Sequence, residues 1–449
     1  MKKVVVCNFP PMLDWYLPSA PSILLGACRW LGIDTAFMDF NIHKDKTPAE
    51  WAKMVLAENP TIVALSIFSY VSRASAEQLA QEIKTLDPTV TIVAGGAGIR
   101  DNINGRILLN DTYIDEHIDG DGEVSWPNYL VNYFDIDRTV DFDNMSTPYI
   151  ASYDDYDINF YKQAATAYDT KLWVPITGSR GCVRKCTFCE IHEHWKFAQR
   201  APELIANEIR AVLDKFPSVH VHFTDSLING SLPAFYKLLE LLKPIKKAYP
   251  EFTWGGQFIV RNQKQCDDNY WQSIADSGGS LLDIGVETGS DSLRAQMKKN
   301  FTNEDLKHSV EGMSKYGIQC TFLMFVGYPT ETVDDFTQSL ALLEQYKPYA
   351  NIVIRAVQAG WIASINPGTP LYTAGKNDPN MIITEKANVW YNKLNPTLTA
   401  QERLRRRRQL EATAVSLGYR MSVDNHVSIA NVEAEAVKYA KVFQLIERL

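Results

Sequence analysis

Gly181-Cys182-Val183-Arg184-Lys185-Cys186-Thr187-Phe188-Cys189 spaces three thiols as C-x3-C-x2-C in a loop that directly succeeds an apolar strand, Trp173–Ile176. A loop of this length can wrap three thiolates around one cluster, and a [4Fe–4S] cluster with three protein ligands keeps one iron open to a small molecule. The competing reading is structural zinc: His192 lies three positions after Cys189 and would complete a Cys3His tetrahedron, with His194 as a substitute. The sequence downstream of the loop weighs against zinc. Strands read at Val219–Thr224, Phe252–Ile259, Leu281–Val286, Cys320–Val326 and Ile352–Ala356 alternate with helical patterns at 202–215, 234–247, 269–276, 291–298, 303–316 and 332–345. Together with the first strand they make about six β/α repeats, enough for an incomplete parallel barrel whose active site lies at the carboxyl ends of its strands.

Upstream, residues 1–134 also alternate. Strands are expected at Val4–Phe9, Thr35–Phe40, Ile62–Phe68, Val90–Ala94 and near Glu116–Ile118, with helices at 22–31, 48–58, 74–86 and 124–134. The pattern implies a doubly wound parallel sheet, in which ligands bind beyond the carboxyl strand ends. Gly95-Gly96 and Asp119-Gly120-Asp121-Gly122-Glu123 fall there. Residues 135–170 are rich in Asp, Tyr and Asn with weak periodicity and read as a linker across a surface. After Trp361 come loop signals, Asn366-Pro367-Gly368-Thr369-Pro370 among them, and then helical segments from Ala400 to the end. The run Arg405-Arg406-Arg407-Arg408 lies in one of these helices, so its guanidinium groups spread around the axis; a solvated face or acidic contacts within the protein is the first reading, a binding site for an acidic partner the second.

Composition narrows the classes. The hydrophobic fraction of 46% is that of a globular protein with sizeable cores, and the formal charge of −8 argues against a general polyanion binder. No stretch approaches the roughly 20 apolar residues of a membrane span, and Pro10, Pro11 and Asp14 interrupt the place where a signal peptide keeps its apolar run. A cytoplasmic location is expected. The seven cysteines are an odd number with three crowded together, which suits a ligand set in a reducing compartment better than a disulfide framework.

On these motifs residues 171–370 resemble the core of the radical S-adenosylmethionine (SAM) superfamily. The resemblance implies that Cys182, Cys186 and Cys189 hold a [4Fe–4S] cluster and that Phe188 packs near the adenine of SAM. Gly285-Val286-Glu287-Thr288-Gly289-Ser290 is similar to the family's G-[IV]-E-[ST]-G-S, which puts Gly285 and Glu287 near the ribose and methionine. Phe325-Val326-Gly327-Tyr328-Pro329-Thr330-Glu331 is similar to its G-x-P-G-E-T turn, with Thr330 in place of the usual glycine; Gly327 would support the adenine side. Thr224 and Asp225 occupy the place of the family's glycine-rich stretch and match it poorly. Gln257 and Arg261, at a strand end, could contact SAM or serve as barrel-rim structure.

The first 134 residues resemble the cobalamin-binding domain that precedes many radical SAM cores, on Met38-Asp39-Phe40-Asn41, Ala64-Leu65-Ser66, Gly95-Gly96 and Gly120-Asp121-Gly122-Glu123. Ser66, Gly95, Gly96, Gly120, Gly122 and Glu123 are the residues this resemblance assigns to cobalamin. The D-x-H-x-x-G stretch that supplies a histidine to cobalt is absent, so no axial ligand is assigned. The implied organisation is a Rossmann-like cobalamin-binding-type domain (1–134), a linker (135–170), a partial (β/α)6 TIM-like radical SAM barrel (171–370) and a mainly helical C-terminal region (371–449). The implied activity is reductive cleavage of SAM to a 5′-deoxyadenosyl radical, then cobalamin-dependent methyl transfer to an unactivated carbon of a small-molecule substrate. SAM would be consumed twice per turnover, and an electron donor such as flavodoxin or ferredoxin would be needed. The alternatives are radical cyclisation, rearrangement or oxidation without methyl transfer and, from another class, a zinc-stabilised binding module.

Overall fold

The structure, a computed structural model, describes residues 2–99, 109, 112–191, 196–384 and 389–421. By compactness the chain divides into two units, Met1–Ile176 with Glu203–His222 and Tyr249–Phe252, and Thr177–Pro202 with Phe223–Ala248 and Thr253–Leu449.

In the first unit five strands, β1 Lys3–Asn8, β2 Asp34–Asp39, β3 Ile62–Ser66, β4 Thr91–Gly95 and β5 Glu116–Ile118, form a parallel sheet in the order β2-β1-β3-β4-β5. Val4, Val5, Val6 and Cys7 are all fully buried, as a strand covered on both faces requires. Helices α1 Ser19–Trp30, α2 Pro48–Ala57 and α3 Arg73–Leu86 lie between the strands in sequence, and α4 Gly122–Tyr133 follows the last of them. Helix α2 starts where Thr47 and Glu50 form a capping box, which satisfies two of the backbone donors left over at a helix start. Register aligns the carboxyl ends, with Asn8 beside Asp39 and Ser66, Ser66 beside Gly95, and Gly95 beside Ile118. The strand order reverses between β1 and β3, so the loops after these two strands flank the crevice where such sheets bind ligands.

Residues 135–170 contain a helix, α5 Ile158–Ala167, and four buried tyrosines, Tyr149, Tyr153, Tyr156 and Tyr161. Rings of this size are stable inside when the hydroxyl finds an acceptor. Tyr149 Oη donates to the Glu123 carbonyl (2.5 Å), Tyr153 Oη to Pro175 (3.0 Å) and Tyr156 Oη to Pro18 (2.7 Å).

The second sheet contains β6 Leu172–Ile176, β9 Val219–Phe223, β10 Thr253–Phe258, β11 Gly279–Glu287, β12 Gln319–Val326 and β13 Ile354–Ile362 in that order, with its two end strands unpaired to each other. It is the open sheet of a partial barrel. Ladders β10–β11, β11–β12 and β12–β13 are parallel. The intervening helices are α6 Pro202–Lys215, α7 Leu232–Ala248, α8 Asp268–Asp276, α9 Asp291–Gln296, α10 Asn303–Lys315 and α11 Val333–Gln345. A two-residue antiparallel pair, β7 Ser179–Arg180 with β8 Ala198–Gln199, brackets the cysteine loop.

After β13 come α12 Pro370–Asn377, an antiparallel pair β14 Met381–Ile383 with β15 Trp390–Asn392, and α13 Ala400–Ser416. The arginine run divides as α13 turns: Arg405 is exposed and pairs with Glu402, whereas Arg406 and Arg407 are buried.

Candidate active site

The cysteine loop leaves β7 at Gly181, whose φ of +76° is a left-handed conformation that glycine adopts without strain. Within the loop, Arg184 N–H donates to Cys182 Sγ (3.3 Å) and Cys189 N–H to the Cys186 carbonyl (3.2 Å). The loop is then pinned against the segment after α9. Thr187 N–H donates to the Met297 carbonyl (3.1 Å), and Cys186 Sγ lies 4.0 Å from the Lys298 carbonyl. The Arg184 guanidinium donates to the carbonyls of Val260 (3.2 Å) and Asn300 (3.4 Å).

All three thiols are free. Burial pushes the pKa of each one up, that of Cys186 to about 11, with Lys299 opposing and Glu287 and the other two cysteines adding to the rise. Three thiolates gathered in one partly buried loop repel one another; a bound cation offsets that repulsion and so favours loss of the thiol protons. Among the described residues no three His, Cys, Asp or Glu side chains converge on a single ion. A cubane does not demand such convergence, because its thiolates ligate different irons. The donor set therefore fits an iron–sulfur cluster. His192 and His194 lie outside the described residues.

At the end of β11, Glu287 has φ +64°, and the ladder with β12 slips between Gly285 and Glu287. This irregular backbone folds the carboxylate back over Gly285, where Lys299 Nζ meets Glu287 Oε1 at 2.7 Å. A Cβ on Gly285 would lie 2.5 Å from that oxygen and 2.7 Å from the ammonium, so a side chain there would have to shift the ends of the pair. Burial alone would lower the pKa of Lys299, but Glu287 and the cysteine sulfurs outweigh it and hold the ammonium above its ordinary range. The remaining polar groups of the motif are spent inside the fold. Ser290 Oγ donates to Asp335 (2.5 Å), Gly289 N–H donates to Ser339 Oγ (2.9 Å), and Arg294 Nη2 donates to the Thr288 carbonyl (2.5 Å).

Thr224 Oγ1 lies 2.8 Å from Thr177 Oγ1. Asp225 accepts from Gly178 N–H (2.7 Å) and from Ser179 Oγ (2.6 Å), so both carboxylate oxygens anchor the entry to the cysteine loop. Burial raises the Asp225 pKa to about 6 against these hydrogen bonds. Gln257 is exposed near the end of β10, and Arg261 is engaged at the rim, donating to the carbonyls of Asn229 and Gly230. Phe188 packs edge-on to Phe325, ring centres 5.1 Å apart. Gly327, at φ +81°, donates its N–H to Glu331 Oε2 (3.0 Å).

In the first unit Ser66 and Gly95 pair at the ends of β3 and β4, Gly96 and Gly120 come next at φ +104° and +83°, and Gly122 and Glu123 open α4. Beyond β3 the chain exposes Phe68 (67%), Tyr70 (71%) and Val71 (56%) in sequence, an apolar edge at the strand ends.

Residues 176–343 match the family model described as the radical SAM superfamily. The chain carries a radical SAM domain. Curated relatives are distant: 25% identity over 199 residues to tRNA-2-methylthio-N(6)-dimethylallyladenosine synthase of Hydrogenobaculum sp. (41% of this chain, 43% of that one), and 25% over 187 residues to threonylcarbamoyladenosine tRNA methylthiotransferase of Drosophila melanogaster (38% and 32%). The chain thus spans less than half the length of these two relatives. Solved structures match over nearly all of it. The radical SAM methyltransferase TsrM of Kitasatospora setae, with tryptophan and a SAM analogue bound, aligns with a TM-score of 0.65 at 15% identity (93% of this chain, 89% of that one). The cobalamin-dependent radical SAM enzyme OxsB, with aqua-cobalamin and SAM bound, aligns at 0.64 and 16% (99% and 71%). These likenesses show that the chain shares the fold of those structures.

Lys299 and Arg184 were not legible as neighbours of the cysteine loop. The sequence signal for Lys299 is only its place three residues beyond α9, and its partner is identified by the fold.

Proposed function

We propose that this radical SAM protein holds a [4Fe–4S] cluster at Cys182, Cys186 and Cys189, binds SAM beside it, and carries cobalamin on the front sheet for methyl transfer to carbon. The observation that carries the reading is the cysteine loop itself, three free thiols pinned beside the Glu287–Lys299 pair. When bound, the cluster and SAM supply a 5′-deoxyadenosyl radical, and cobalamin supplies the methyl group.

The chain's own residues set the conditions. Lys299 and Arg184 place two positive charges beside the loop, which offset the charge of three thiolates and favour an added electron. Gly285 leaves open space for the Glu287–Lys299 pair, and Phe188 and Phe325 give the loop an apolar flank that excludes water. For cobalamin, the glycines at 95, 96, 120 and 122 let backbone approach a large ring, and Phe68 and Tyr70 offer apolar surface for it to cover. The charge of −8 favours a small-molecule substrate over RNA, with an electron donor such as flavodoxin or ferredoxin.

The test is anaerobic reconstitution with iron, sulfide and hydroxocobalamin, then desalting and separate quantification of iron and corrin. Near-stoichiometric retention of both supports the reading. Iron without corrin leaves a radical SAM enzyme that transfers no methyl group, and retention of neither rejects the assignment. With substrate, S-adenosylhomocysteine formed alongside 5′-deoxyadenosine marks methyl transfer.

A further inference from the structure

We infer that helix α13 is a brace for the cysteine loop, with Arg406 as a positioning residue that acts through the Gly327–Glu331 turn, Tyr328 and Thr187; this rests on the assignment of the cluster to Cys182, Cys186 and Cys189.

Arg406 and Glu331 are each 1% exposed, and Arg406 Nη1 lies 2.9 Å from Glu331 Oε2. The same nitrogen donates to the carbonyls of Glu331 (3.3 Å) and Thr332 (3.0 Å), while Nε donates to Glu402 (2.9 Å). The oxygen that Arg406 holds is the one that accepts Gly327 N–H, and Glu331 N–H closes the turn onto the Tyr328 carbonyl (2.7 Å). A buried ion pair seldom adds net stability over apolar packing, so its retention points to a specific geometry being held. Other groups hold the same turn. Asn392 Nδ2 donates to the Pro329 carbonyl (3.0 Å), and Asn395 Nδ2 donates to Pro329 (3.3 Å) and Glu331 (3.0 Å). Arg403, its guanidinium 3.7 Å from the Trp390 ring centre, lies so close to Gly327 that a Cβ there would be 2.6 Å from Arg403 Cδ.

The turn passes this constraint to the loop. Tyr328 Oη lies 2.9 Å from Thr187 Oγ1, and Tyr328 is buried with Leu293 and Met297 under Phe188, Phe325 and Leu371. Thr187 stands between Cys186 and Cys189, and the fold engages each of its polar groups: N–H to Met297, carbonyl from Leu371 N–H (2.8 Å), hydroxyl to Tyr328. Two cluster ligands are thus set by a helix more than two hundred residues away in sequence.

The test compares iron release to a chelator from anaerobically reconstituted wild type, Tyr328→Phe, Arg406→Lys, Arg406→Met and, as a control on the exposed side of the same helix, Arg405→Met. Melting temperature and the electron paramagnetic resonance of the reduced cluster are recorded for each. Tyr328→Phe, which loses only a hydroxyl, is expected to release iron about fivefold faster, the factor for one lost hydrogen bond, and Arg406→Met, which leaves the buried Glu331 carboxylate without its cation, faster still. Arg406→Lys should fall between Arg406→Met and wild type, and Arg405→Met should match wild type. If Arg406→Met does not fold, Tyr328→Phe and Arg406→Lys decide. Unchanged release and spectra in both overturn the brace while leaving the cluster assignment standing, whereas wild type that retains no iron overturns both.

Discussion

Glu287 and Lys299 form an ion pair of 2.7 Å directly above the α-carbon of Gly285, on the same side as the cysteine loop. The pair occupies the space a side chain at 285 would need. Gly285→Ala therefore has to push the ends of this largely buried pair aside, and melting is expected to fall as well. SAM affinity is expected to fall about tenfold, roughly 1.4 kcal/mol, in a titration of reconstituted protein. Wild-type affinity in the variant would detach this pair from SAM binding.

Cys182→Ala, Cys186→Ala and Cys189→Ala should each abolish 5′-deoxyadenosine formation while leaving circular dichroism and melting close to wild type. Each change removes a cluster ligand; the loop's hold on the barrel runs through Arg184 and Thr187, which stay. Product formation by any of the three would overturn the ligand assignment.

Asp225 gives a pH signature. Folded, it keeps its proton up to about pH 6, because burial outweighs the hydrogen bonds from Ser179 and Gly178. Unfolded, it releases it near the ordinary carboxyl value of about 4. A raised acid pKa contributes stability that is complete below the unfolded value and lost as pH rises through the folded one. Asp225→Asn removes this dependence. Between pH 4 and pH 7 the stability of the variant relative to wild type should rise by up to roughly 3 kcal/mol. Urea denaturation at several pH values measures it; a constant difference would mean that Asp225 is ionised throughout.

Much of the fold was legible because its signals are local. The apolar strand Val4–Phe9 and the spacing Cys182–Cys186–Cys189 each lie within one strand or loop. Relationships that join distant segments were not. Glu287 and Lys299 are separated by a helix, and Arg406 meets Glu331 across 75 residues, so the arginine run gave no hint of which of its members would be buried. The buried tyrosines of 135–170 likewise gave no strong periodicity, since Tyr149, Tyr153 and Tyr156 are held by hydroxyl bonds to carbonyls elsewhere in the chain and Tyr161 by one to the Asp39 carboxylate. The pair β14–β15 interrupts a region read as helical because three-residue strands are too short to show alternation.

The apolar edge after β3 separates a corrin site from a scaffold that only resembles one. Phe68 and Tyr70 are largely exposed, so Phe68→Ser and Tyr70→Ser remove little buried surface and should leave the melting temperature of the cobalamin-free protein unchanged. If a ring covers this edge, each substitution forfeits the burial of an aromatic side chain, about 1.5–3 kcal/mol, and corrin retention after desalting should drop tenfold or more. Iron retention should not move, because the cysteine loop belongs to the other compact unit. A loss of corrin with iron unchanged would locate the ring on this edge. Unchanged corrin would place it elsewhere or leave Phe68 and Tyr70 facing solvent in the holoenzyme, and a parallel loss of iron would mean that the substitutions act on the whole chain rather than on a ligand face.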